Sequence, residues 1–172
     1  MADRFGHTAR PEDRTSCMGG HPLSVDRDEI VALLIRYARA VDTKDWPLLR
    51  TCFTDDATSD YGEVGAWRGA GDLVGFMEDA HLGMGPTQHF LTNFQVEVDG
   101  DRASSIAYVQ AVTVLASHPD HWIDTVGTYE DHLRRGGDGW RIADRVFTVT
   151  RMLMSPALAP DPNRTDRPEA PA

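Results

Sequence analysis

The second half of the chain contains four long strand-like runs that are separated by turn sequences. The runs cover residues 87–98, 102–116, 122–134 and 140–153. Asp-Gly at 99–100 and the glycine-rich segment 136–139 are typical of tight turns between antiparallel strands, and residues 117–121 form a predicted loop. Because consecutive strands with short connections usually pair with each other, this half predicts a four-stranded antiparallel meander.

Helical periodicity dominates the first half of the chain. Four residues recur at the spacing of one helix face: Ile30, Leu34, Tyr37 and Val41. They predict a first helix that runs to about Ala40. A second, short helix capped by Asp45 and extending through Phe53 comes next, then a small hairpin at 57–68 and a third helix from about Asp72. We therefore predict an α+β fold, in which helices cap a cone-shaped, strongly curved antiparallel sheet and enclose a pocket.

Two terminal segments differ in composition from the middle of the chain. Residues 1–22 are rich in Arg, Asp, Gly and Pro without any period, and residues 155–172 carry five prolines and few apolar residues. We predict a disordered N-terminal tail at 1–22, one folded domain at 23–154 and a Pro-rich C-terminal tail at 155–172.

Composition and charge exclude several functional classes. The net charge of −10 argues against nucleic acid as a partner, because phosphate binding needs clustered Lys and Arg. No apolar run approaches the roughly 18 residues of a membrane span, and residues 1–22 lack a secretory apolar core, so we expect a cytoplasmic protein without membrane contact. Cys17 and Cys52 suggest no disulfide framework. Neither a phosphate-binding loop nor metal-ligand spacing is visible, so no cofactor and no metal are expected.

Asp42 and His89 are the pair of residues that most indicates catalysis. An imidazole oriented by a carboxylate is a general base tuned to neutral pH. We predict that Phe90 and Phe94 share the core face of their strand, so that His89 lies on the opposite face, a pocket wall or a solvent face. From spacing alone, a helix-end aspartate is more often a cap, and a lone strand histidine is more often structural. Tyr37 is by spacing as readily a core residue as a site residue.

Five short motifs occur in order along residues 24–154. They are Tyr37-x-x-x-x-Asp42, Lys44-Asp45-Trp46, Asp60-Tyr61, Thr87-Gln88-His89-Phe90 and Asp138-Gly139-Trp140-Arg141-Ile142. Together they resemble the SnoaL-like branch of the nuclear transport factor 2-like superfamily. Within it, scytalone dehydratase, hexachlorocyclohexane dehydrochlorinase and bile-acid 7α-dehydratase are similar in these segments. The resemblance implies a cone-shaped α+β fold, an enzyme that needs no cofactor, and a homotrimer or homodimer.

The resemblance also implies roles for individual residues. In these families an Asp–His pair removes a proton and a leaving group departs from the adjacent carbon, which makes Asp42 and His89 the expected catalytic pair. Tyr37 and Tyr61 would hydrogen-bond a substrate carbonyl or leaving hydroxyl, and Arg151 would bind a carboxylate or an enolate. Further substrate contacts are expected from Gln110, Asn93, Trp67, Phe53 and Met77.

Four functional hypotheses are compatible with the sequence. The leading hypothesis is a lyase of the dehydratase type that acts on a small cyclic substrate, such as a polyketide, steroid or terpenoid, in natural product biosynthesis. A SnoaL-like cyclase or isomerase would use the same base. An epoxide hydrolase would need a second carboxylate, for which Asp144 is the only candidate. A non-catalytic ligand-binding or assembly domain is the alternative from another class.

The chain also departs from one of these relatives. Scytalone dehydratase has a second histidine on the next strand, whereas residues 108–113 contain none, so no relative's substrate can be carried over.

Overall fold

The computed structural model describes residues 23–155 and shows, within them, three α-helices and one six-stranded sheet. The helices are α1 (Leu23–Asp42), α2 (Trp46–Thr51) and α3 (Ala70–Ala80). The strands are β1 (Phe53–Asp60), β2 (Ala66–Arg68), β3 (Met84–Asp99), β4 (Arg102–Leu115), β5 (His118–Gly136) and β6 (Gly139–Met154). The predicted tail at 1–22, and residues 156–172 of the tail predicted at 155–172, lie outside the described residues. No helix in the described range is long and apolar enough to cross a membrane.

The sheet confirms the predicted meander and adds one parallel pairing. Its strand order is β2-β1-β6-β5-β4-β3, with β3 to β6 antiparallel to one another. β1 pairs with β6 in parallel, which the predicted antiparallel sheet did not include. Phe53, predicted in the second helix, instead begins β1, because the backbone N–H of Ile142 on β6 donates to the Cys52 carbonyl oxygen at 2.9 Å and draws the chain into the sheet.

The connection between β4 and β5 is shorter than predicted. Residues 117–121 were expected to form a loop, but β5 already begins at His118 and Leu115 pairs with it. The turn therefore consists of residues 116 and 117 alone. At the other end of the meander, Ser155 is buried and its N–H donates to the Trp122 carbonyl oxygen at 2.9 Å, so the first residue of the predicted C-terminal tail belongs to the folded part.

Helix α1 lies along the inside of the curved sheet and ends beside β3. The four residues of its predicted apolar face, Ile30, Leu34, Tyr37 and Val41, are all buried. After the helix, Lys44 takes a left-handed conformation with φ of 55°, and its ammonium group donates to the Met84 carbonyl oxygen at the start of β3. The turn thus attaches the end of α1, and with it Asp42, to β3.

A β-bulge in β3 decides which of its side chains face the interior. Near Asn93, which has a φ of 54°, β3 holds one residue more than its partner strand β4. The less exposed, inward residues are 87, 89 and 91 before the bulge and 94, 96 and 98 after it. His89 and Phe94 therefore lie on the same face of the sheet. The prediction that Phe90 belongs to the core face is wrong: it is 48% exposed, because the alternation reverses at the bulge.

Two further bulges lie in β6, one on each side of residues 144–149, where the pairing with β5 shifts. The inward residues are 140 and 142 before the first bulge, 145, 147 and 149 between the two, and 152 after the second. Strict alternation from Ile142 would place Arg145 outside, and alternation from Val149 would place Arg151 inside. The bulges reverse both outcomes.

Candidate active site

Asp42 and His89, the predicted catalytic pair, are in direct contact. The Asp42 Oδ1 atom is 2.7 Å from the His89 Nδ1 atom, and Asp42 Oδ2 accepts the backbone N–H of His89 at 3.0 Å. Since a carboxylate oxygen only accepts, the Nδ1 atom of His89 must carry the proton in this bond. The two contacts hold the carboxylate and the ring in one orientation. Asp42 lies behind the ring, whereas His89, with 8% of its side chain exposed, lines a cavity.

The cavity has a volume of about 230 Å³ inside the curved sheet. Apolar walls come from Phe76, Met77, Ala80, Met84, Phe147 and Val149. Polar groups at its surface come from His89, Tyr37, Tyr61, Tyr129, His81, Thr113 and Thr125. The Nε2 atom of His89 has no hydrogen-bond partner within residues 23–155, so it is the ring atom left to meet a bound molecule.

Three tyrosine hydroxyls meet in the interior. The Tyr37 oxygen is 3.1 Å from the Tyr61 oxygen and 3.5 Å from the Tyr129 oxygen. Burial raises the pKa of each of the three phenols well above its usual range, so all three stay protonated at neutral pH. Protonated phenols can donate to an oxygen of a bound molecule. Tyr37 and Tyr61 were predicted, but Tyr129 was missed, although it alternates on β5 with the buried residues Asp131 and Leu133.

A buried ion pair lies against the tyrosines. The Arg145 guanidinium carbon is 4.1 Å from the ring centroids of both Tyr37 and Tyr129. Its Nε and Nη2 atoms donate to the Asp131 carboxylate at 2.7 and 2.9 Å, and both side chains are fully buried. Burial lowers the pKa of Arg145, but the Asp131 carboxylate outweighs this effect and keeps the pKa well above its usual range. Its Nη1 atom has no partner among the described residues. The sequence offered no signal for this pair, because Arg145 is turned inward by a bulge in β6 that only the strand pairing reveals.

Three of the other predicted substrate contacts lie at the cavity or directly behind it. Met77 lines the cavity. Phe53 and Trp67 do not, but each supports a tyrosine edge-on, Phe53 against Tyr37 at 5.9 Å between ring centroids and Trp67 against Tyr61 at 5.5 Å. These two rings therefore hold cavity residues in place without lining the cavity themselves.

Gln110, Arg151 and Asn93 lie away from the cavity. The Gln110 and Arg151 side chains both bind the Asp124 carboxylate, at 3.0 and 3.4 Å, on the outer face of the sheet. Asn93 is exposed in the bulge of β3. Arg151 is turned outward by the second bulge of β6, and Gln110 alternates with the inward residue Ala111. None of the three lines the cavity.

Asp144 also faces away from the cavity. Its carboxylate accepts from the Thr58 hydroxyl and lies 3.6 Å from Nδ1 of the exposed His132. An epoxide hydrolase arrangement that combines Asp144 with Asp42 is therefore absent in the described part of the chain. Residues 23–155 also hold no group of three or more His, Cys, Asp or Glu side chains that could bind a metal.

The fold and cavity define a cone-shaped α+β domain with an interior site. The profile of the SnoaL-like domain matches residues 24–146, so the chain belongs to the SnoaL-like family of the nuclear transport factor 2-like superfamily. The uncharacterized protein Rv2910c of Mycobacterium tuberculosis is 37% identical over 124 residues, which are 72% of this chain and 84% of that protein.

Solved structures share the fold. A protein from Novosphingobium aromaticivorans, provisionally named an aromatic ring hydroxylase, is 30% identical with a TM-score of 0.71, over 78% of this chain and 95% of that chain. A type 2 hexachlorocyclohexane dehydrochlorinase is 19% identical with a TM-score of 0.70, over 82% of this chain and 96% of that chain. Further structures with this fold are provisionally named dehydratases. The dehydrochlorinase and these dehydratases are so distant in sequence that their likeness shows a shared fold alone.

Proposed function

We propose that the protein is a cofactor-independent lyase of the dehydratase type, in which His89 removes a proton from a carbon next to a carbonyl group. One observation carries the proposal: the Asp42-oriented ring of His89 presents its free Nε2 atom to a mostly apolar cavity that also holds three phenol donors. Structures that share this fold are named as a dehydrochlorinase and as a dehydratase, and the proposal extends that class of reaction to this chain.

Proton removal would be assisted at two places, the proton that leaves carbon and the carbonyl oxygen that gains negative charge. His89 takes the proton on Nε2, and the Asp42 carboxylate stabilises the resulting imidazolium. The electrons of the broken C–H bond pass to the carbonyl oxygen, and the hydroxyls of Tyr37 and Tyr61 donate to that oxygen as its negative charge grows. The positive charge of Arg145 behind the Tyr37 ring stabilises the same charge.

Elimination then completes the reaction. The enolate reforms the carbonyl, a double bond forms to the adjacent carbon, and the C–O bond of the leaving hydroxyl breaks. The imidazolium of His89 returns its proton to the departing hydroxide, so water is released and His89 is neutral again. Every electron and proton in this sequence comes from the substrate and from His89.

The cavity indicates the size and character of the substrate. An apolar cavity of about 150 Å³ accommodates benzene, so a cavity of about 230 Å³ accommodates a bicyclic compound. Aromatic and aliphatic walls with a few polar groups suit a small cyclic ketone of polyketide or terpenoid type. A steroid would extend beyond the enclosed volume. Isomerisation or cyclisation of such a ketone would begin with the same proton transfer.

We also propose that the protein works as a homotrimer or homodimer. Large apolar side chains lie exposed on three strands of the meander: Phe90, Tyr108, Leu153 and Met154. Exposed apolar area on a sheet is typical of a contact surface between copies of a chain. Sedimentation analysis that found only monomers at micromolar concentration would contradict this part of the proposal.

A β-hydroxy ketone tests the proposed reaction. 3-Hydroxy-1-tetralone loses water to give 1-naphthol, which is followed by its fluorescence. We expect the protein to accelerate this loss and His89→Gln to reduce the rate by about 10²- to 10⁴-fold, the usual contribution of a general base. The matched control is His132→Gln, which alters a histidine near an aspartate on the surface and should leave the rate unchanged. Equal rates for His89→Gln and the unaltered protein would refute the mechanism.

A further inference from the structure

A second histidine, His81, lines the same cavity and was not recognised in the sequence. It follows the last turn of α3, is buried, and packs its ring 5.5 Å from that of Trp46. Its Nδ1 atom is 2.6 Å from the Met77 carbonyl oxygen. Because a carbonyl oxygen only accepts, the proton of the neutral ring must be on Nδ1, and Nε2 carries the lone pair. Within residues 23–155 that Nε2 atom has no hydrogen-bond partner.

The surroundings of His81 keep its ring neutral. Burial lowers the pKa of His81 and the nearby Lys44 ammonium also acts to lower it, whereas the bond to the Met77 carbonyl and the Asp42 carboxylate act in the opposite direction. A ring in this state offers the cavity an acceptor. It differs in this respect from the three tyrosines, which offer donors.

Donors and acceptor lie in separate parts of the cavity. His81 precedes β3, the strand at one edge of the sheet, and its backbone carbonyl accepts the N–H of Met84. The rings of Tyr61 and Tyr129 instead pack against Phe147 of β6, and the ring of Tyr37 packs against Tyr129 of β5. A bound molecule that spans the cavity therefore meets hydroxyl donors in one region and an imidazole acceptor in the other.

We propose that His81 accepts a hydrogen bond from a second hydroxyl of the substrate, so that the substrate class is a hydroxylated bicyclic ketone. This inference rests on the proposed function, because the ketone is the group that the tyrosines would bind. The hydroxyl at His81 is not the leaving group: an acceptor bond increases the electron density on its oxygen and opposes departure. His81 thus acts as a specificity residue, and the hydroxyl that it holds remains in the product.

Binding of tetralones tests this role without requiring turnover. The probes are the 5-, 6- and 7-hydroxy-1-tetralones and their methoxy counterparts, titrated by tryptophan fluorescence or calorimetry. We expect at least one hydroxy compound to bind about three- to tenfold more tightly than its methoxy counterpart, the effect of one neutral hydrogen bond. His81→Phe should abolish this preference. His132→Phe, at an exposed histidine that does not line the cavity, should keep it.

Two outcomes of the binding experiment would overturn the proposal: a hydroxyl preference that persists in His81→Phe, or the absence of any preference in the unaltered protein.

Nitrogen NMR of the unaltered, labelled protein provides a second measurement if His81→Phe does not fold. We expect the unprotonated Nε2 resonance of His81 to shift on addition of the preferred hydroxytetralone and not of its methoxy counterpart. A protonated Nε2, or equal responses, would also overturn it. A preference found in a protein that dehydrates no tetralone would refute the proposed function and leave this binding role intact.

Discussion

Two of the pairs that join an aspartate to a basic side chain within residues 23–155 differ in what surrounds them. Asp42–His89 and Asp131–Arg145 have the same shortest N–O distance of 2.7 Å. The first pair lies partly exposed at the cavity and leaves one ring nitrogen free. The second is fully buried, and the remaining Arg145 nitrogen is enclosed by protein. We therefore propose that similar contacts serve different purposes: the first pair holds a group that can gain and lose a proton, and the second holds a fixed positive charge.

This difference follows from the chemistry of the two bases. Histidine changes charge near neutral pH, so a carboxylate beside it can stabilise the proton that it takes from a substrate. Arginine stays charged in proteins, so a carboxylate beside it neutralises a buried charge and orients the guanidinium. We therefore expect stability to depend mainly on the second pair and catalysis mainly on the first.

Arg145→Met should have the largest effect on stability. Removing one partner of a buried ion pair leaves the Asp131 carboxylate unpaired, which costs about 3–5 kcal/mol. Urea unfolding followed by circular dichroism measures the free energy of unfolding. The matched control is Arg134→Met, which removes the exposed pair with Asp56 and should cost much less, because solvent screens that pair. Equal costs for the two variants would remove the distinction between a buried fixed charge and a surface pair.

Tyr61→Phe should have a smaller effect, on catalysis alone. It removes one phenol donor while the contact between Tyr37 and Tyr129 remains. We expect the dehydration rate to fall about 10- to 100-fold, less than the loss of a single essential oxyanion donor, because Tyr37 still donates. Tyr108→Phe, at an exposed tyrosine, is the matched control and should not change the rate. An unchanged rate in Tyr61→Phe would exclude this hydroxyl from the reaction.

The smallest effect concerns the pH dependence of stability. The pKa of folded His81 lies below that of the unfolded side chain, about 6.5. As the pH falls below that value, the unfolded chain therefore takes up a proton before the folded protein does, and stability is lost. Between pH 7 and pH 5, the free energy of unfolding should fall less in His81→Phe than in the unaltered protein. His132→Phe, at an exposed histidine, should retain the original slope, and a steeper slope in His81→Phe would contradict the sign.

Local patterns in the sequence predicted the elements and the positions at their ends. The apolar spacing in α1 placed Tyr37 inside, and the helix end and the strand start brought Asp42 and His89 into contact, as the pair was expected to be. The helix and strand positions and the α+β fold depend on periodicity over a few residues. The family and the pairing of Asp42 with His89 were instead accessible through the resemblance of five short motifs.

The bulges could not be predicted in the same way. Each one reverses the alternation of the residues after it, so Arg145 is buried and Arg151 is outside although both lie on one strand. Bulges satisfy the curvature of the whole sheet, which no short segment encodes. His81 was missed for a related reason: its place at the cavity depends on the packing of its ring against Trp46, a tertiary contact without a local signal.

Deuterium incorporation into 1-tetralone tests the role of His89 most directly. It reports the removal of a proton next to a carbonyl, so it assumes no particular product. The test applies equally to dehydration, isomerisation and cyclisation. The ketone is incubated with the protein in D₂O and its C2 position is followed by NMR. We expect the unaltered protein and His132→Gln to accelerate the exchange over buffer and His89→Gln to do so at least about 100-fold less. Exchange by His89→Gln at the rate of the unaltered protein would contradict the assignment of His89 as the base.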